Sequence, residues 1–195
     1  MLLRGIELYI LWSLVRLHCD LTTQTQLCDR ILILIGSSQE CGTERNPLNI
    51  NTRTKMLKEI YGDSPEIMIY ALSDLTDEND IRPEWGKYLL ENVDRYIYKV
   101  PELMITGDDE ERNHWFARED VVDMSQLIVN RGRIPISATQ VRKLMVMDDR
   151  KEWMKWVNPK LHKMYDEIRR ELMTVPYYRE LQIELMKDKH KEIKQ

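Results

Sequence analysis

Arg30-Ile31-Leu32-Ile33-Leu34-Ile35-Gly36-Ser37-Ser38 is the stretch that decides the fold. Five aliphatic residues follow one another without a polar interruption, and the run stops at a glycine and two serines. A strand with one wet face would alternate, so an unbroken run predicts a parallel strand covered on both sides. Working outward, Asn51 to Tyr61 (NTRTKMLKEIY) sets Met56, Leu57 and Ile60 at helical spacing, with Gly62 as its stop. Ile67 to Leu72 reads as the next strand, Trp85 to Tyr98 as a helix, and Leu103 to Gly107 as a third strand that ends at a glycine and two aspartates. Strands that alternate with helices predict an α/β protein with a parallel sheet flanked by helices, and place a ligand at the C-terminal ends of the strands.

The remainder of the chain has a different texture. From Val141 to Leu172 the pattern is helical, broken only at Asn158-Pro159, and Met173 to Gln195 continues as a charged amphipathic segment around Pro176. This predicts a C-terminal helical extension over 146–195, packed on the sheet edge and following an α/β domain over 1–145. Such a tail could mediate self-association into a homo-oligomer.

Composition narrows the classes of function. The chain of 195 residues carries 29 Lys and Arg against 33 Asp and Glu, a net charge of −4. Affinity built on many neutralised phosphates calls for a basic surface, so nucleic acid is not the expected partner. The hydrophobic content of 43% with a mean hydropathy of −0.51 fits a soluble globular protein. Cys19, Cys28 and Cys41 are odd in number and form no CxxC pair, which argues against a disulfide framework or a zinc site and for a reducing cytoplasm. The opening MLLRGIELYILWSLVRL is interrupted by Glu7 and Arg16 and lacks a small-residue cleavage site. It is also shorter than the roughly 20 apolar residues a membrane span needs, so neither secretion nor a membrane partner is expected.

Three segments could carry chemistry. In Ile136-Ser137-Ala138-Thr139-Gln140-Val141-Arg142 a Ser/Thr pair precedes a helix. Such hydroxyls cap the first backbone N–H groups, and the same helix end, with its partial positive charge, can receive phosphate oxygens. Arg142 lies one turn in, where it would add a charge-assisted contact, although an ordinary N-cap has the same pattern. Gly36-Ser37-Ser38-Gln39 follows the first clear strand, and its small residues would let backbone amides approach a nucleotide. Gly107-Asp108-Asp109 follows a later strand, where the aspartates could hold ribose hydroxyls or a hydrated magnesium ion, although both segments also fit plain turns.

Taken in order, these segments resemble a known family. GSSQECGTERNPLNINTRTKML is similar to the GSaQ…T..NPf…eR..M stretch of the nicotinamide-mononucleotide adenylyltransferase branch of the HIGH-motif nucleotidyltransferases, and ISATQVR to that superfamily's ISxTxxR. Gly107-Asp108 stands where that branch has its nucleotide-contacting glycine loop. The resemblance runs from about Cys28 to Arg142. It implies a Rossmann-like domain that transfers AMP from ATP, with magnesium, to nicotinamide or nicotinate mononucleotide. It further implies that Ser137, Thr139 and Arg142 hold the ATP phosphates and the leaving pyrophosphate, and that Gly36, Ser37, Gln39, Gly107 and Asp108 line the nucleotide pocket. Asn46 and Arg53 would fix the loop or contact substrate phosphate. Trp85, in NDIRPEWGKYL, would stack on the nicotinamide ring, a role that competes with plain core packing. The corresponding alternative for Arg53 is a surface ion pair.

One part of the family pattern is missing. The glycine-rich GRFxPxHxGH loop that should follow the first strand is replaced by IELYILWSLVRLHCDLTTQTQ, which marks 1–27 as diverged. That stretch has a single histidine, His18, as the remaining candidate for a catalytic role in place of the motif. A shifted or rearranged start of the coding sequence would account for the change, with Ile6 to Leu11 as a first strand and LHCDLTTQTQLCDR as the helix after it. Two further functions stay open: a catalytically silent nucleotide-binding paralogue, and cytidylyl or adenylyl transfer to another phosphate monoester. His114-Trp115-Phe116 reads either as a lid over the nucleotide or as a packed turn.

Overall fold

The computed structural model describes residues 7–11, 29–62, 64–75, 83–98, 101–107, 116–129 and 136–192. Contacts divide these into two compact units, a sheet unit (7–11, 29–38, 64–75, 83–98, 101–107 and 116–129) and a helical unit (39–62 and 136–192).

In the sheet unit, β1 (Glu7–Leu11), β2 (Arg30–Ile35), β3 (Ile67–Ala71), β4 (Leu103–Gly107) and β5 (Ser125–Val129) form one sheet in the order β3-β2-β1-β4-β5. Every pairing is parallel, with Tyr9 opposite Leu32 on one side and opposite Met104 on the other. This is the doubly wound order. The strand sequence reverses between β1 and β4, so the C-terminal ends of those strands bound the crevice where ligands of such sheets bind. The aliphatic run behaves as its lack of alternation predicts: Ile31, Leu32, Ile33 and Leu34 are each 1% exposed, so both faces of β2 are covered.

Helix α2 (Pro83–Ile97) covers one of those faces. Trp85, Leu89 and Val93 recur every four residues, a single helical stripe, and they share a core with Leu32, Leu34, Leu72, Met104 and Met124. Each such side chain contributes about 1.5–3 kcal/mol by leaving water. At the sheet edge Tyr70 of β3 and Tyr96 of α2 stack with centroids 4.2 Å apart, and the Tyr96 hydroxyl donates to the Ala71 carbonyl. Phe116 packs against the same core, whereas His114 and Trp115 lie outside the described residues.

The helical unit begins with α1 (Ile50–Tyr61), followed after the sheet segments by α3 (Ala138–Val146), α4 (Arg150–Trp156), a 3₁₀ segment (Pro159–Met164), α5 (Tyr165–Leu172) and α6 (Pro176–Glu192). The expectation of a single break at Asn158-Pro159 needs correction, because the chain also turns at Met147–Asp149. Asp148 takes a left-handed φ of 56°, and the Asp149 carboxylate accepts from the Glu152 N–H at 3.1 Å to start α4. An acidic residue at that position competes with continued helix by capping a new one. The unit's core gathers Met56 and Ile60 of α1 with Val141, Met145, Trp153, Leu161, Tyr165, Ile168, Leu172 and Tyr178. Trp153 and Tyr165 meet edge to face at 4.9 Å.

Alongside the Lys55–Glu167 and Glu59–Lys163 ion pairs, one carboxylate ties the start of α1 to α5. Glu171 of α5 accepts from the Asn49 backbone N–H and the Asn49 side-chain amide, each at 2.6 Å, and from the Thr52 hydroxyl at 2.5 Å. Asn49 is itself the N-cap of α1, its side-chain oxygen accepting from the Thr52 N–H. The negative charge thus stands at the positive end of the helix, where it is favoured. Gly62 ends α1 at φ 70°, a conformation a side chain would strain. Among the described residues, no helix is long and apolar enough to cross a membrane.

Candidate nucleotide site

The most developed feature is the start of α3. Ser137 is extended, its hydroxyl accepts from the Gln140 N–H at 3.2 Å, and the Gln140 side-chain oxygen accepts from the Ser137 N–H at 2.7 Å. This reciprocal capping box fixes the entry of the chain and satisfies one first-turn donor. The Val141 N–H closes onto the Ser137 carbonyl, which leaves the Ala138 and Thr139 amides without an acceptor inside their own helix. Arg142, three residues on from Thr139, donates from Nη2 to the Thr139 hydroxyl at 3.4 Å. Hydroxyl, guanidinium and helix end stand together, which is a chemistry suited to polyphosphate oxygens.

The loop of residues 39–49 is tied down from two directions. Arg53, only 8% exposed on α1, donates from Nη2 to the Glu40 carbonyl at 3.1 Å, and Asn46 donates from its side-chain amide to the Glu40 carboxylate at 2.7 Å. Thr43 accepts from the Asn46 N–H at 2.9 Å. Arg53 is therefore buried in the helical unit, and its guanidinium holds the loop backbone. On the other side, the Tyr178 hydroxyl of α6 donates to the Glu44 carbonyl at 2.5 Å. The positive charge of Arg142 acts on the Tyr178 phenol. Burial pushes that phenol above the ordinary range, and the cation pulls the other way.

Gln39, Asn46, Arg53, Ser137, Thr139 and Arg142 all belong to the helical unit, with Gln39 exposed. Gly36, Ser37, Trp85 and Gly107 belong to the sheet unit. There the loop after β2 is held by the Ser38 N–H donating to the Leu72 carbonyl at 3.1 Å and by the hydroxyls of Ser38 and Ser73 at 3.0 Å. Ser37 adopts a left-handed φ of 47°, a conformation that costs a non-glycine residue about 1 kcal/mol or more and is enriched at ligand sites. Among the described residues, a Cβ built on Gly36 meets nothing within 4 Å. Gly107 closes β4 opposite Val129. Trp85 is 7% exposed within the sheet core and meets Tyr88 edge to face at 5.8 Å, which is the packing arrangement. His18 and Asp108 lie outside the described residues.

Tyr178 and Glu40 did not emerge from the sequence. Tyr178 sits in an amphipathic tail whose spacing says only that the residue is buried, and its bond to the Glu44 carbonyl depends on how α6 packs. Among the described residues no group of three or more His, Cys, Asp or Glu side chains is placed to hold a metal ion.

No protein-family model and no curated protein matches this chain. Several solved structures share its fold. A bifunctional NMN adenylyltransferase/ADP ribose pyrophosphatase from Francisella tularensis superposes with a TM-score of 0.66 at 15% identity, over 98% of this chain and 57% of that one. The same protein complexed with AMP and a manganese ion gives a TM-score of 0.64 at 15% identity, over 98% and 56%. NadR protein in complex with NR gives 0.56 at 18% identity, over 82% and 46%. This chain thus spans about half the length of the proteins it resembles, and the likeness shows a Rossmann-like α/β fold.

Proposed function

We propose that the protein is a nucleotidyltransferase that moves AMP from ATP to nicotinamide or nicotinate mononucleotide, forming a dinucleotide and pyrophosphate. The observation that carries this reading is the start of α3, where a capping box, the Thr139 hydroxyl and the Arg142 guanidinium converge within one turn. In-line attack by the mononucleotide phosphate on the α-phosphorus needs no covalent intermediate. The protein must hold two anions in line and stabilise charge as it passes to the departing pyrophosphate. In this reading Thr139, Arg142 and the helix end receive the β- and γ-phosphates. Within the same helical unit Gln39 borders the nucleotide, while Asn46 and Arg53 shape the loop of residues 39–49. The magnesium ion of the reaction travels with the triphosphate as part of the substrate and lends further positive charge there. The setting that fits this chemistry is the cytoplasm.

A second reading is favoured by one specific observation: the chain contains no HxGH sequence. Donors aimed at transition-state charge are worth a factor of about a hundred or more each. A protein with the phosphate-binding helix and without that motif would bind nucleotide and turn over slowly or not at all. Pyrophosphate release from ATP, magnesium and nicotinamide mononucleotide separates the two. Release that disappears in Arg142→Ala supports adenylyl transfer, and an ATP-dependent rise in melting temperature without release supports the silent binder.

A further inference from the structure

We propose that the C-terminal helix α6 is part of the nucleotide site, with Tyr178 as a positioning residue that sets the loop of residues 39–49 against α3. The inference rests on the nucleotide reading given above and names the side chain that shapes its site.

The side chains of the loop are exposed from Cys41 to Arg45. A loop of that kind, left to itself, samples many conformations, and a ligand that met it would bear the entropy of ordering it. Here internal bonds fold the loop into a narrow turn. The Gly42 N–H donates to the Pro47 carbonyl at 3.4 Å, the Thr43 N–H to the Asn46 carbonyl at 3.3 Å, and the Asn46 N–H returns to the Thr43 hydroxyl at 2.9 Å. Those bonds shape the turn without fixing where it points. Two anchors from outside do that: at its base Arg53 of α1 holds the Glu40 carbonyl, next to Gln39, and at its tip the Tyr178 phenol donates to the Glu44 carbonyl.

The anchor at the tip comes from a helix that also rests on α3. Tyr178 is 2% exposed in the core that includes Val141 and Met145, and Gln182, one turn on, donates from its side-chain amide to the Val146 carbonyl at 2.8 Å. Residues at i and i+4 share a helix face, so these two contacts fix the rotation of α6 against α3. Helix α6 is thus a strut. One face seats on the helix whose first turn carries Thr139 and Arg142, and a hydroxyl from that same face holds the loop that begins at Gln39. A buried ring with two torsions keeps its oxygen in a fixed place while the loop it grips stays exposed. The loop is therefore ordered before any ligand arrives, which removes that part of the cost of binding.

The test measures calorimetric binding of magnesium-ATP and amide hydrogen exchange on the full chain, in the wild type, Tyr178→Phe and Tyr165→Phe. At position 178 phenylalanine keeps the buried ring and removes only the oxygen that holds Glu44. Tyr165→Phe is the control for a merely structural loss: it removes another buried phenol of the same unit, whose hydroxyl donates to Asp148 at 2.8 Å, beyond the C-terminal end of α3. The expected result is about fivefold faster exchange at Gly42 and Thr43 and about fivefold weaker binding of magnesium-ATP in Tyr178→Phe, the loss of one hydrogen bond, with both unchanged in Tyr165→Phe. Either change without the other, no change in either, or the same changes in Tyr165→Phe overturns this inference and leaves the nucleotide reading of α3 standing. A wild-type chain that binds no ATP removes both. Should Tyr178→Phe fail to fold, exchange in the wild-type chain decides: ATP that protects the Tyr178 hydroxyl proton together with the Gly42 and Thr43 amides supports the inference, and ATP that binds without protecting them overturns it.

Discussion

Replacing Glu171 tests how the loop and helix of residues 39–62 are held to the C-terminal helices. The carboxylate accepts three hydrogen bonds, from the Asn49 backbone, the Asn49 amide and the Thr52 hydroxyl, at 2.6, 2.6 and 2.5 Å. Thr52 is 6% exposed, so its hydroxyl would find little water in exchange. Hydrogen bonds to a charged acceptor are worth about 1.5–3 kcal/mol each, and the half-buried position of Glu171 argues for less, about 1 kcal/mol apiece. Glu171→Ala then costs about 3 kcal/mol, which for a chain of this size lowers the melting temperature by roughly 6–12 °C. Glu171→Gln keeps one acceptor oxygen and turns an NH₂ toward a donor, so it should cost roughly half as much. Urea and thermal unfolding followed by circular dichroism measure both. A loss below about 1 kcal/mol for alanine, or equal losses for alanine and glutamine, refutes the view that the charge at the N-terminus of α1 holds the unit together.

Other consequences follow from the packing and the titrating groups. Trp85→Ala should cost about 3–5 kcal/mol of stability through the cavity left among Leu32, Leu89 and Met104, measured by urea unfolding, whereas a loss under about 1 kcal/mol would show that the indole is not part of the sheet core. The Tyr165 phenol is pushed above its ordinary 10.0 by burial and by its hydrogen bond to Asp148, and Tyr61 is pushed up by burial. The folded chain keeps those protons while the unfolded chain releases them. Stability is therefore complete below about pH 10 and falls as pH rises beyond it, by about 1.4 kcal/mol per pH unit for each phenol. Urea midpoints between about pH 9 and about pH 11 should show that decline, with a shallower slope in Tyr165→Phe; a slope unchanged by that substitution contradicts the assignment.

The alternating strands and helices were legible because their signals are local. The run Ile31–Ile35 marks a doubly covered strand, and Gly62 and Ser137 mark helix ends by capping chemistry that any sequence displays. β5 was not read: Ser125–Val129 offers only Leu127-Ile128-Val129 as an apolar run, too short to stand out before its pairing with β4 is known. The break at Met147–Asp149 was hidden for a related reason, since two aspartates inside a helical pattern can be surface residues or a cap, and tertiary contacts choose. Of the candidate site, the start of α3 was readable from ISATQVR. The tethers of Arg53 to the Glu40 carbonyl and of Tyr178 to the Glu44 carbonyl were not, because each runs to a backbone oxygen that no sequence pattern announces.

The most direct test of the central claim is to incubate the chain with magnesium, nicotinamide mononucleotide and ATP labelled at the α-phosphate, and to ask where the label goes. The account predicts that the label appears in a dinucleotide, one pyrophosphate being released for each molecule formed, and that Arg142→Ala abolishes it. Label that remains entirely in ATP, under conditions where ATP raises the melting temperature of the protein, contradicts adenylyl transfer.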